Sequence, residues 1–278
     1  NSDNNTIQNN IITNSTWYGL DVEGSDSNLV LNNSFVGNPY GVSLFSANNT
    51  FIAGNMVTGS AYYGIYLSNS SNSTIFENSI INNSGDGVYL CGNSSANINF
   101  NRITGNAMYG LYNDGSGTVD ATNNWWGTNN PVGIVGGVNY TPWLILNVST
   151  SPTIVGSNGN STVTVDLSHN SQGNDSSPSG SVPDGIPVNF TTDMGTVTSV
   201  AYTRKGKAVV TFNSGSATSG MATVTATVDN QAVQTNVTID TIAPSVDTSL
   251  GSGIYGANQS VTLNASDNLD PSPVIYYT

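Results

Sequence analysis

Two stretches, Ile75-Phe76-Glu77-Asn78-Ser79-Ile80 and Ile98-Asn99-Phe100-Asn101-Arg102-Ile103, decide the fold because they carry one pattern 23 residues apart. In each, an apolar residue stands three positions before an asparagine and another stands two positions after it. The same asparagine recurs at spacings of 23, 22, 23, 23 and 23 residues, as Asn10, Asn33, Asn55, Asn78, Asn101 and Asn124. A fixed period in the twenties is typical of a solenoid, in which each unit buries its apolar side on its neighbours.

The residues between these asparagines favour strands over helices. A glycine follows each of the first five asparagines, as Gly19, Gly41, Gly64, Gly87 and Gly110, and an alternating apolar pair such as Ile65 and Leu67 follows the glycine. Short alternating runs broken by Asn, Gly and Ser predict strands and turns, with three strands in each winding. We therefore predict an all-β fold that begins with a right-handed parallel β-helix of about six coils, roughly 29 Å long.

The recurring asparagine is predicted to have a structural role. Equivalent residues of successive coils lie above one another, so the six side-chain amides are expected to form a hydrogen-bonded ladder along the stack. Asparagine also tolerates the left-handed backbone that a sharp corner requires. A ligand-binding role is less favoured, because a residue present in every coil is more simply a structural requirement.

Composition and charge exclude several classes of function. Only 8% of the 278 residues are charged, and the net charge of −13 argues against nucleic acid or an anionic membrane as partner. Cys91 is the single cysteine, so an internal disulfide is excluded. No apolar run approaches the roughly 20 residues that cross a bilayer. The chain starts without Met or a signal peptide, and we expect it to be a segment of a longer protein.

The segment Asn123-Asn124-Trp125-Trp126-Gly127-Thr128-Asn129-Asn130-Pro131 is predicted to close the first domain, which we place at residues 1–139. Trp125 and Trp126 are expected to cap the open end of the stack, and Pro131 is expected to stop the strand ladder. Together with the repeats, this motif resembles the parallel β-helix repeats of adhesin-like surface proteins of methanogenic archaea and related bacteria. The resemblance covers about residues 4–135 and implies an archaeal, extracellular, non-catalytic structural protein.

A second domain is predicted at residues 140–243, where the period disappears. Seven longer strands are expected at residues 144–149, 162–167, 186–191, 196–202, 207–212, 222–228 and 232–239. Their alternation predicts an immunoglobulin-like antiparallel β-sandwich. The segments at residues 184–190, 206–210 and 220–226 resemble the bacterial immunoglobulin-like modules of invasin and intimin. The polar loop at residues 168–183 is predicted to be a mobile insertion.

Residues 244–278 are predicted to start a further, incomplete β-sandwich module, with strands at residues 246–250, 260–265 and 274–278. The segments at residues 253–263 and 273–278 resemble the chitobiase-type C-terminal sandwich repeat. Asp240, Asp267 and Asp270 offer oxygen ligands for calcium, but their spacing matches no complete loop motif. We therefore predict no metal site and no cofactor.

Parallel β-helices also host polysaccharide lyases and hydrolases, so catalysis is an alternative function for this fold. Glycoside hydrolysis needs two carboxylates about 5 to 9.5 Å apart, a spacing that neighbouring coils would supply. No acid of the repeats has an acid at the equivalent position of the next coil, and Asp21 with Glu23 is a single pair on one strand. Arg102 is the one basic residue of the repeats. We predict no catalytic residue.

Aromatic residues are the stronger candidates for a binding surface. Tyr66, Tyr89 and Tyr112 share one coil position and alternate with inward residues, so they are expected to face outward. A second coil position holds Tyr18, Tyr40, Tyr63 and Tyr109. Such rows either bind sugar rings or a protein surface by apolar stacking or only stabilise the sheet.

These observations predict a non-catalytic, extracellular, adhesin-like protein whose β-helix is presented by immunoglobulin-like spacers. Its expected partners are a cell-surface glycan or protein, or neighbouring copies of itself. The alternatives are a subunit of an extracellular filament or sheath and a β-helix enzyme acting on polysaccharides. Glycosylation is expected at Asn-X-Ser/Thr sites, unless these arise by chance from composition: Asn14, Asn48, Asn72, Asn82, Asn93, Asn147, Asn160, Asn189, Asn236 and Asn264.

Overall fold

The structure of the chain is a computed structural model that describes residues 2–269 and 272–276. Its first part is a stack of short strands: β1 (Thr6–Gln8), β2 (Ile11–Thr13), β3 (Tyr18–Glu23), β4 (Leu29–Leu31), β5 (Ser34–Val36), β6 (Tyr40–Phe45), β7 (Phe51–Ala53), β8 (Met56–Thr58), β9 (Tyr63–Ser68), β10 (Ser73–Phe76), β11 (Ser79–Ile81), β12 (Val88–Cys91), β13 (Ala96–Asn99), β14 (Arg102–Thr104), β15 (Leu111–Asn113), β16 (Val119–Asp120), β17 (Ile134–Val135) and β18 (Val138–Asn139).

The strands pair in parallel with the equivalent strands of the next coil and form three sheets. The orders are β1-β4-β7-β10-β13-β16-β18, β14-β11-β8-β5-β2 and β17-β15-β12-β9-β6-β3. The register follows the sequence period, since Ile75 pairs with Ile52 on one side and with Ile98 on the other. The predicted parallel β-helix is confirmed.

The interior of the β-helix consists of columns of equivalent apolar side chains. Ile52, Ile75 and Ile98 form one column, and each is fully buried. The residues two positions after each ladder asparagine form a second column, and the alternating pairs of the third sheet form the rest of the core. Burying each such side chain contributes about 1.5–3 kcal/mol, so repetition of the pattern stabilises the whole stack.

One of the sharp corners of each coil lies one residue before the ladder asparagine. Left-handed backbone occurs at the residues that precede these asparagines, with φ between 52° and 67° at Asn9, Asn32, Gly54, Glu77, Phe100 and Asn123. The expectation that the ladder asparagine itself adopts this conformation is wrong. The side-chain amide of the ladder asparagine forms hydrogen bonds between coils, and the preceding residue adopts the left-handed conformation that the corner requires.

The recurring glycine permits close approach between coils. A Cβ atom added at Gly64 would lie 2.6 Å from the carbonyl oxygen of Gly87 and 2.9 Å from a methyl group of Ile80. No side chain fits in that space. The glycine period thus reflects backbone contact between successive windings.

The stack continues past the two tryptophans. After Pro131, β17 pairs with β15 and β18 pairs with β16, both in parallel. Pro131 therefore does not end the ladder, because the chain returns to the sheets beyond it. Trp126 joins the β-helix core, and Tyr140 and Trp143 pack on the same cluster at this end. Trp125 does not cap the stack, since its fully buried ring belongs to the core of the following domain.

That following domain is a two-sheet sandwich. Its strands are β19 (Leu144–Ser151), β20 (Ile154–Val155), β21 (Asn160–Asn170), β22 (Pro187–Thr192), β23 (Thr196–Val197), β24 (Val200–Tyr202), β25 (Lys207–Asn213), β26 (Gly220–Val228) and β27 (Gln231–Ile239). The sheet orders are β19-β21-β25-β23 and β20-β27-β26-β22-β24, antiparallel except for the parallel pair β20 and β27. The single strand expected at residues 196–202 is instead two strands, β23 and β24, in different sheets.

The last described part is a short antiparallel pair, β28 (Ser245–Thr248) and β29 (Leu263–Ser266). The four residues of β28 are exposed. Residues 274–276 form no strand, and the rest of the strand expected there, residues 277–278, lies outside the described residues. Within residues 2–269 and 272–276, no helix is long and apolar enough to span a membrane.

An ion pair joins the β-helix to the sandwich. Arg102 on β14 contacts the carboxylate of Asp229, which lies at the turn between β26 and β27, and the indole N–H of Trp125 donates to the same carboxylate at 2.7 Å. The side chains of Arg102 and Asp229 are only 15% and 7% exposed. Nearby, the side-chain oxygen of Gln231 accepts hydrogen bonds from Thr128 and Asn129. We call this contact the junction.

The polar loop at residues 168–183 is packed against the β-helix, so the expectation of a mobile insertion is wrong. A Cβ atom added at Gly180 would lie 2.7–2.9 Å from the rings of Phe76 and Phe100, and the N–H of Ser181 donates to Glu77 at 3.1 Å. Among the left-handed residues that precede the ladder asparagines, Glu77 and Phe100 are the two that are neither Asn nor Gly. The strained backbone at these two corners coincides with the docking of the loop.

Candidate functional site

The outer surface of the third sheet carries a continuous patch of tyrosine rings, which we call the tyrosine face. It comprises eight of the 13 tyrosines: Tyr18, Tyr40, Tyr62, Tyr63, Tyr66, Tyr89, Tyr109 and Tyr112. Parallel pairing places Tyr66, Tyr89 and Tyr112 in one column, at the coil position that the sequence singled out. Tyr62 was missed by the sequence reasoning, because it lies one residue before the recurring tyrosine position.

The rings contact one another along the whole face. The centroids of Tyr63 and Tyr89 lie 4.5 Å apart with the ring planes 13° from parallel, and those of Tyr66 and Tyr89 lie 5.8 Å apart at 7°. The remaining ring pairs span 5.0–5.7 Å in tilted, stacked or edge-on geometry. Such pairs are worth about 0.5–1.5 kcal/mol each, so the face is an ordered platform.

At one end of the face, the hydroxyl groups are engaged by a carboxylate. Tyr89 donates to Asp114 at 2.9 Å, and Tyr112 donates to the other oxygen at 3.3 Å. Burial and this hydrogen bond to Asp114 raise the pKa of Tyr89 above its usual range, and the charge of Asp114 raises the pKa of Tyr112. Burial and the contact with the Cys91 thiol raise the pKa of Tyr66 to about 12. Tyr66, Tyr89 and Tyr112 are therefore neutral donors at physiological pH.

The opposite end of the face is a hollow with unengaged carboxylates. The hollow has a volume of about 310 Å³ and is lined by Tyr18, Asp21, Glu23, Tyr40, Ser43, Phe45 and Tyr66. Asp21 and Glu23 are exposed on β3, two residues apart on its outer side. Within residues 2–269 and 272–276, neither carboxylate forms a hydrogen bond or an ion pair. This end of the tyrosine face therefore carries two negative charges available to a ligand.

Asp86 lies behind the tyrosine face, between the coil positions of Tyr63 and Tyr109. Its side chain is buried, and one oxygen accepts the backbone N–H of Tyr109 at 3.0 Å. Burial raises the pKa of Asp86 above its ordinary value of 3.8, although the hydrogen bond from Tyr109 opposes the shift. The native state thus disfavours the charged form, and stability falls as pH rises through the range above 3.8.

We expect the Asp86→Asn variant to melt at a higher temperature than the parent protein at pH 7, because it keeps an acceptor oxygen without a buried charge. The difference should vanish at pH 3, where Asp86 is protonated, when melting is followed by circular dichroism. Asp193→Asn is the control of opposite sign, since a hydrogen bond from the N–H of Thr223 lowers the pKa of Asp193. A lower midpoint of Asp86→Asn at pH 7 would contradict this assignment.

The predicted ladder asparagines are stacked in the structure. The side-chain N–H of Asn55 donates to the side-chain oxygen of Asn78 at 3.0 Å, and Asn78 donates in the same way to Asn101. The backbone N–H of each also donates to the next amide oxygen at 2.8 Å. A second column, which the sequence reasoning missed although its period is the same, contains Ser15, Asn38, Ser60, Asn83 and Asn106. Apart from Asn10, Ser15 and Asn106 near the ends of the columns, these residues are buried, so the columns are not a candidate ligand site.

The remaining candidates lie apart from one another. Nine of the ten predicted glycosylation asparagines are exposed, and Asn48 is half-buried with its oxygen accepting the N–H of Ser71. Cys91 is half-buried beside the Tyr66 hydroxyl, and His169 pairs with Asp166 in the sandwich. In the part of the chain that the structure describes, no three His, Cys, Asp or Glu side chains gather as a metal site. Asp270 lies outside the described residues.

A larger hollow of about 920 Å³ lies between the β-helix and the docked loop, and it is lined by Asn32, Gly54, Phe76, Glu77, Lys205 and residues 177–184. Glu77 already accepts the N–H of Ser181, and Asp184 accepts the N–H of Lys205. These polar groups hold the loop in place. The tyrosine face is therefore the stronger candidate for ligand binding.

The fold and this geometry agree with the comparison to known families. Residues 1–126 match the family described as the right handed beta helix region. The matched region contains the ladder asparagines and the whole tyrosine face. No curated protein matches the chain.

Several solved structures are similar over part of the chain. The D0-D1 domain of intimin is 22% identical, with a TM-score of 0.28, and the match covers 36% of this chain and 49% of that one. The adhesin InvE of Yersinia pseudotuberculosis is 24% identical, with a TM-score of 0.27 and coverage of 38% and 29%. Domains 4 and 5 of the S-layer protein SbsC are 23% identical, with a TM-score of 0.24 and coverage of 37% and 55%. The chain spans less than two thirds of each, and similarity at this level carries no functional argument.

Proposed function

We propose that this protein is a non-catalytic, adhesin-like structural protein of an extracellular surface. The observation that carries the proposal is the tyrosine face, which is an ordered, outward platform on a stiff β-helix. Aromatic side chains present large contact area at low cost in conformational entropy, as in protein and sugar recognition. The β-helix supplies the binding surface, and the sandwich holds it at a fixed distance from whatever anchors the chain.

The junction supports this division of roles. Arg102, Trp125 and Asp229 connect the two domains through buried polar contacts, and the docked loop adds a second contact at Phe100. The buried rings of Phe100 and Trp125 also belong to the sandwich core, and an apolar interface of this kind restricts motion between domains. A rigid arrangement transmits force from a bound partner along the chain, which is the requirement for adhesion.

The proposal is tested by binding of the full chain to arrays of glycans and cell-surface proteins. We expect Tyr66→Ala, Tyr89→Ala and Tyr112→Ala each to weaken binding about fivefold or more, because each removes one ring from the contact surface. Tyr202→Ala is a matched control, since Tyr202 is a 65% exposed tyrosine of the sandwich. Unchanged binding in all three variants would remove the tyrosine face from the proposal.

Two other functions make different predictions. The enzymatic alternative rests on Asp21 and Glu23, and turnover of a polysaccharide that is lost in Asp21→Asn would establish it in place of adhesion. The filament alternative requires self-association, which sedimentation of the full chain at increasing concentration would detect.

We also propose that the protein is glycosylated at exposed Asn-X-Ser/Thr sites. Support comes from the exposure of nine of the ten candidate asparagines, including Asn72 and Asn93 on the β-helix and Asn236 on the sandwich. Mass spectrometry of peptides from the native source should find glycans at exposed sites and none at half-buried Asn48. Unmodified peptides at every site would refute the proposal.

A further inference from the structure

The two ends of the tyrosine face differ in charge and in hydrogen bonding. At the Asp114 end, both carboxylate oxygens accept tyrosine hydroxyls, so the charge is already engaged. At the Asp21 end, the carboxylates of Asp21 and Glu23 have no such partner among the described residues. The face is therefore not a uniform apolar surface, because its hollow combines free negative charge with ring faces.

We propose that this hollow binds a cationic polypeptide segment, with a lysine or arginine side chain of the partner seated among Tyr40, Tyr66 and the two carboxylates. The inference rests on the proposed function and specifies the chemistry of its partner. Residues i and i+2 on one side of a strand lie about 6.7 Å apart, so Asp21 and Glu23 flank a space that one guanidinium or ammonium group fills. Cations are attracted both to carboxylates and to the faces of tyrosine rings.

The charge of the chain supports a basic partner. The chain has 17 Asp and Glu residues and four Lys and Arg residues, and Arg102, the only one of these four before Arg204, is paired with Asp229 at the junction. No positive charge of the β-helix therefore competes for Asp21 and Glu23. An acidic surface attracts basic segments from a distance. The tyrosine rings then add apolar contact area, which the carboxylates alone do not provide.

The size of the hollow fits one side chain better than a long polysaccharide. Its volume of about 310 Å³ lies at the lower end of ligand sites, and its walls come from the three strands β3, β6 and β9. Further basic residues of the same partner would lie along the rings toward Tyr89. A segment of alternating or consecutive arginines fits this arrangement, because one arginine would bind in the hollow and the others would lie on the adjoining tyrosine rings.

The test measures binding of fluorescein-labelled octa-arginine to the full chain by anisotropy at 150 mM salt, with a Gly-Ser octapeptide as the neutral probe. We expect Asp21→Asn/Glu23→Gln to weaken binding about tenfold, because two ion pairs are lost. Asp193→Asn/Asp247→Asn removes the same charge at exposed positions elsewhere and is expected to change binding less than about twofold. An equal loss in both double variants would show general charge attraction and overturn the proposal.

The ring contribution is tested at Tyr66. Tyr66→Leu is expected to weaken octa-arginine binding about fivefold, whereas Tyr66→Phe, which keeps the ring, should stay within about twofold of the parent protein. Circular dichroism confirms that each variant is folded. Equal binding by Tyr66→Leu and Tyr66→Phe, or no binding of octa-arginine, would overturn the proposal. Glycan binding that is lost in Tyr89→Ala without octa-arginine binding would overturn this inference and leave the adhesive function intact.

Discussion

The Asp229→Asn variant is expected to lose about 3 kcal/mol of free energy of unfolding, because it leaves the buried guanidinium of Arg102 without a counter-charge. Asparagine has nearly the same shape as aspartate, tolerates the φ of 52° at this position and still accepts the indole N–H of Trp125. The loss is therefore assigned to the contact with Arg102, since the charge is removed and an amide NH2 group replaces the oxygen that accepts the guanidinium. Calorimetry should also resolve separate transitions for the β-helix and the sandwich once the junction is weakened.

The matched control is Lys207→Met, which breaks the more exposed ion pair with Asp166. The Lys207 side chain is 48% exposed and its amine lies 3.2 Å from the carboxylate, so we expect a loss below about 1 kcal/mol. Arg102→Met combined with Asp229→Asn should recover part of the stability, since no unpaired charge remains. A loss in Asp229→Asn no larger than in Lys207→Met would show that the junction ion pair does not join the domains energetically.

The second large effect is expected for Asn78→Ala, at about 4 kcal/mol. Asn78 is fully buried, and its oxygen accepts both the backbone N–H and the side-chain N–H of Asn55. Its own N–H group donates to the carbonyl oxygens of Ile52 and Phe76. Removing the amide leaves several buried groups without partners, and each costs about 1–3 kcal/mol. Urea unfolding followed by circular dichroism measures the change.

Two further variants distinguish the ladder from a general effect of removing asparagine. Asn97→Ala, at an exposed position on β13, should change stability by less than about 0.5 kcal/mol. Asn10→Ala should have an intermediate effect, because Asn10 is exposed at the first coil but still donates to Asn33. Equal losses at Asn78 and Asn97 would exclude the ladder as a source of stability.

Local repetition made the β-helix predictable from sequence. Each coil repeats its apolar residues at fixed distances from an asparagine such as Asn55, so the side-chain period fixes both strand positions and their parallel register. The outward column of Tyr66 and Tyr89 followed from the same alternation. The sequence predicts the left-handed backbone at the ladder asparagine, one residue after its actual position. Asparagine is favoured both in turns and in buried ladders, so the residue type alone does not distinguish the two roles.

The junction was not predictable in the same way. Arg102 and Asp229 are 127 residues apart, and no local pattern connects them. The sequence contains one signal of the docking site. The residue before the ladder asparagine is Asn or Gly in the other coils, but it is Glu77 and Phe100 where the loop docks. A bulky residue at a left-handed position indicates a compensating contact, but it does not identify the partner. The loop was therefore expected to be mobile, although it packs on both rings.

The contacts that hold the sandwich come from Phe76 onward along the β-helix, whereas the tyrosine hollow lies on its first three coils. Whole windings inserted or removed between these two regions would keep the residues of each region and change only the contacts at the point of insertion, such as those of Tyr66 with Tyr89 and Cys91. Each unit of 22 or 23 residues would move the hollow by about 4.8 Å relative to the sandwich. Duplication or loss of a single repeat can therefore change the distance between the hollow and the sandwich in fixed steps, without substitutions in either region.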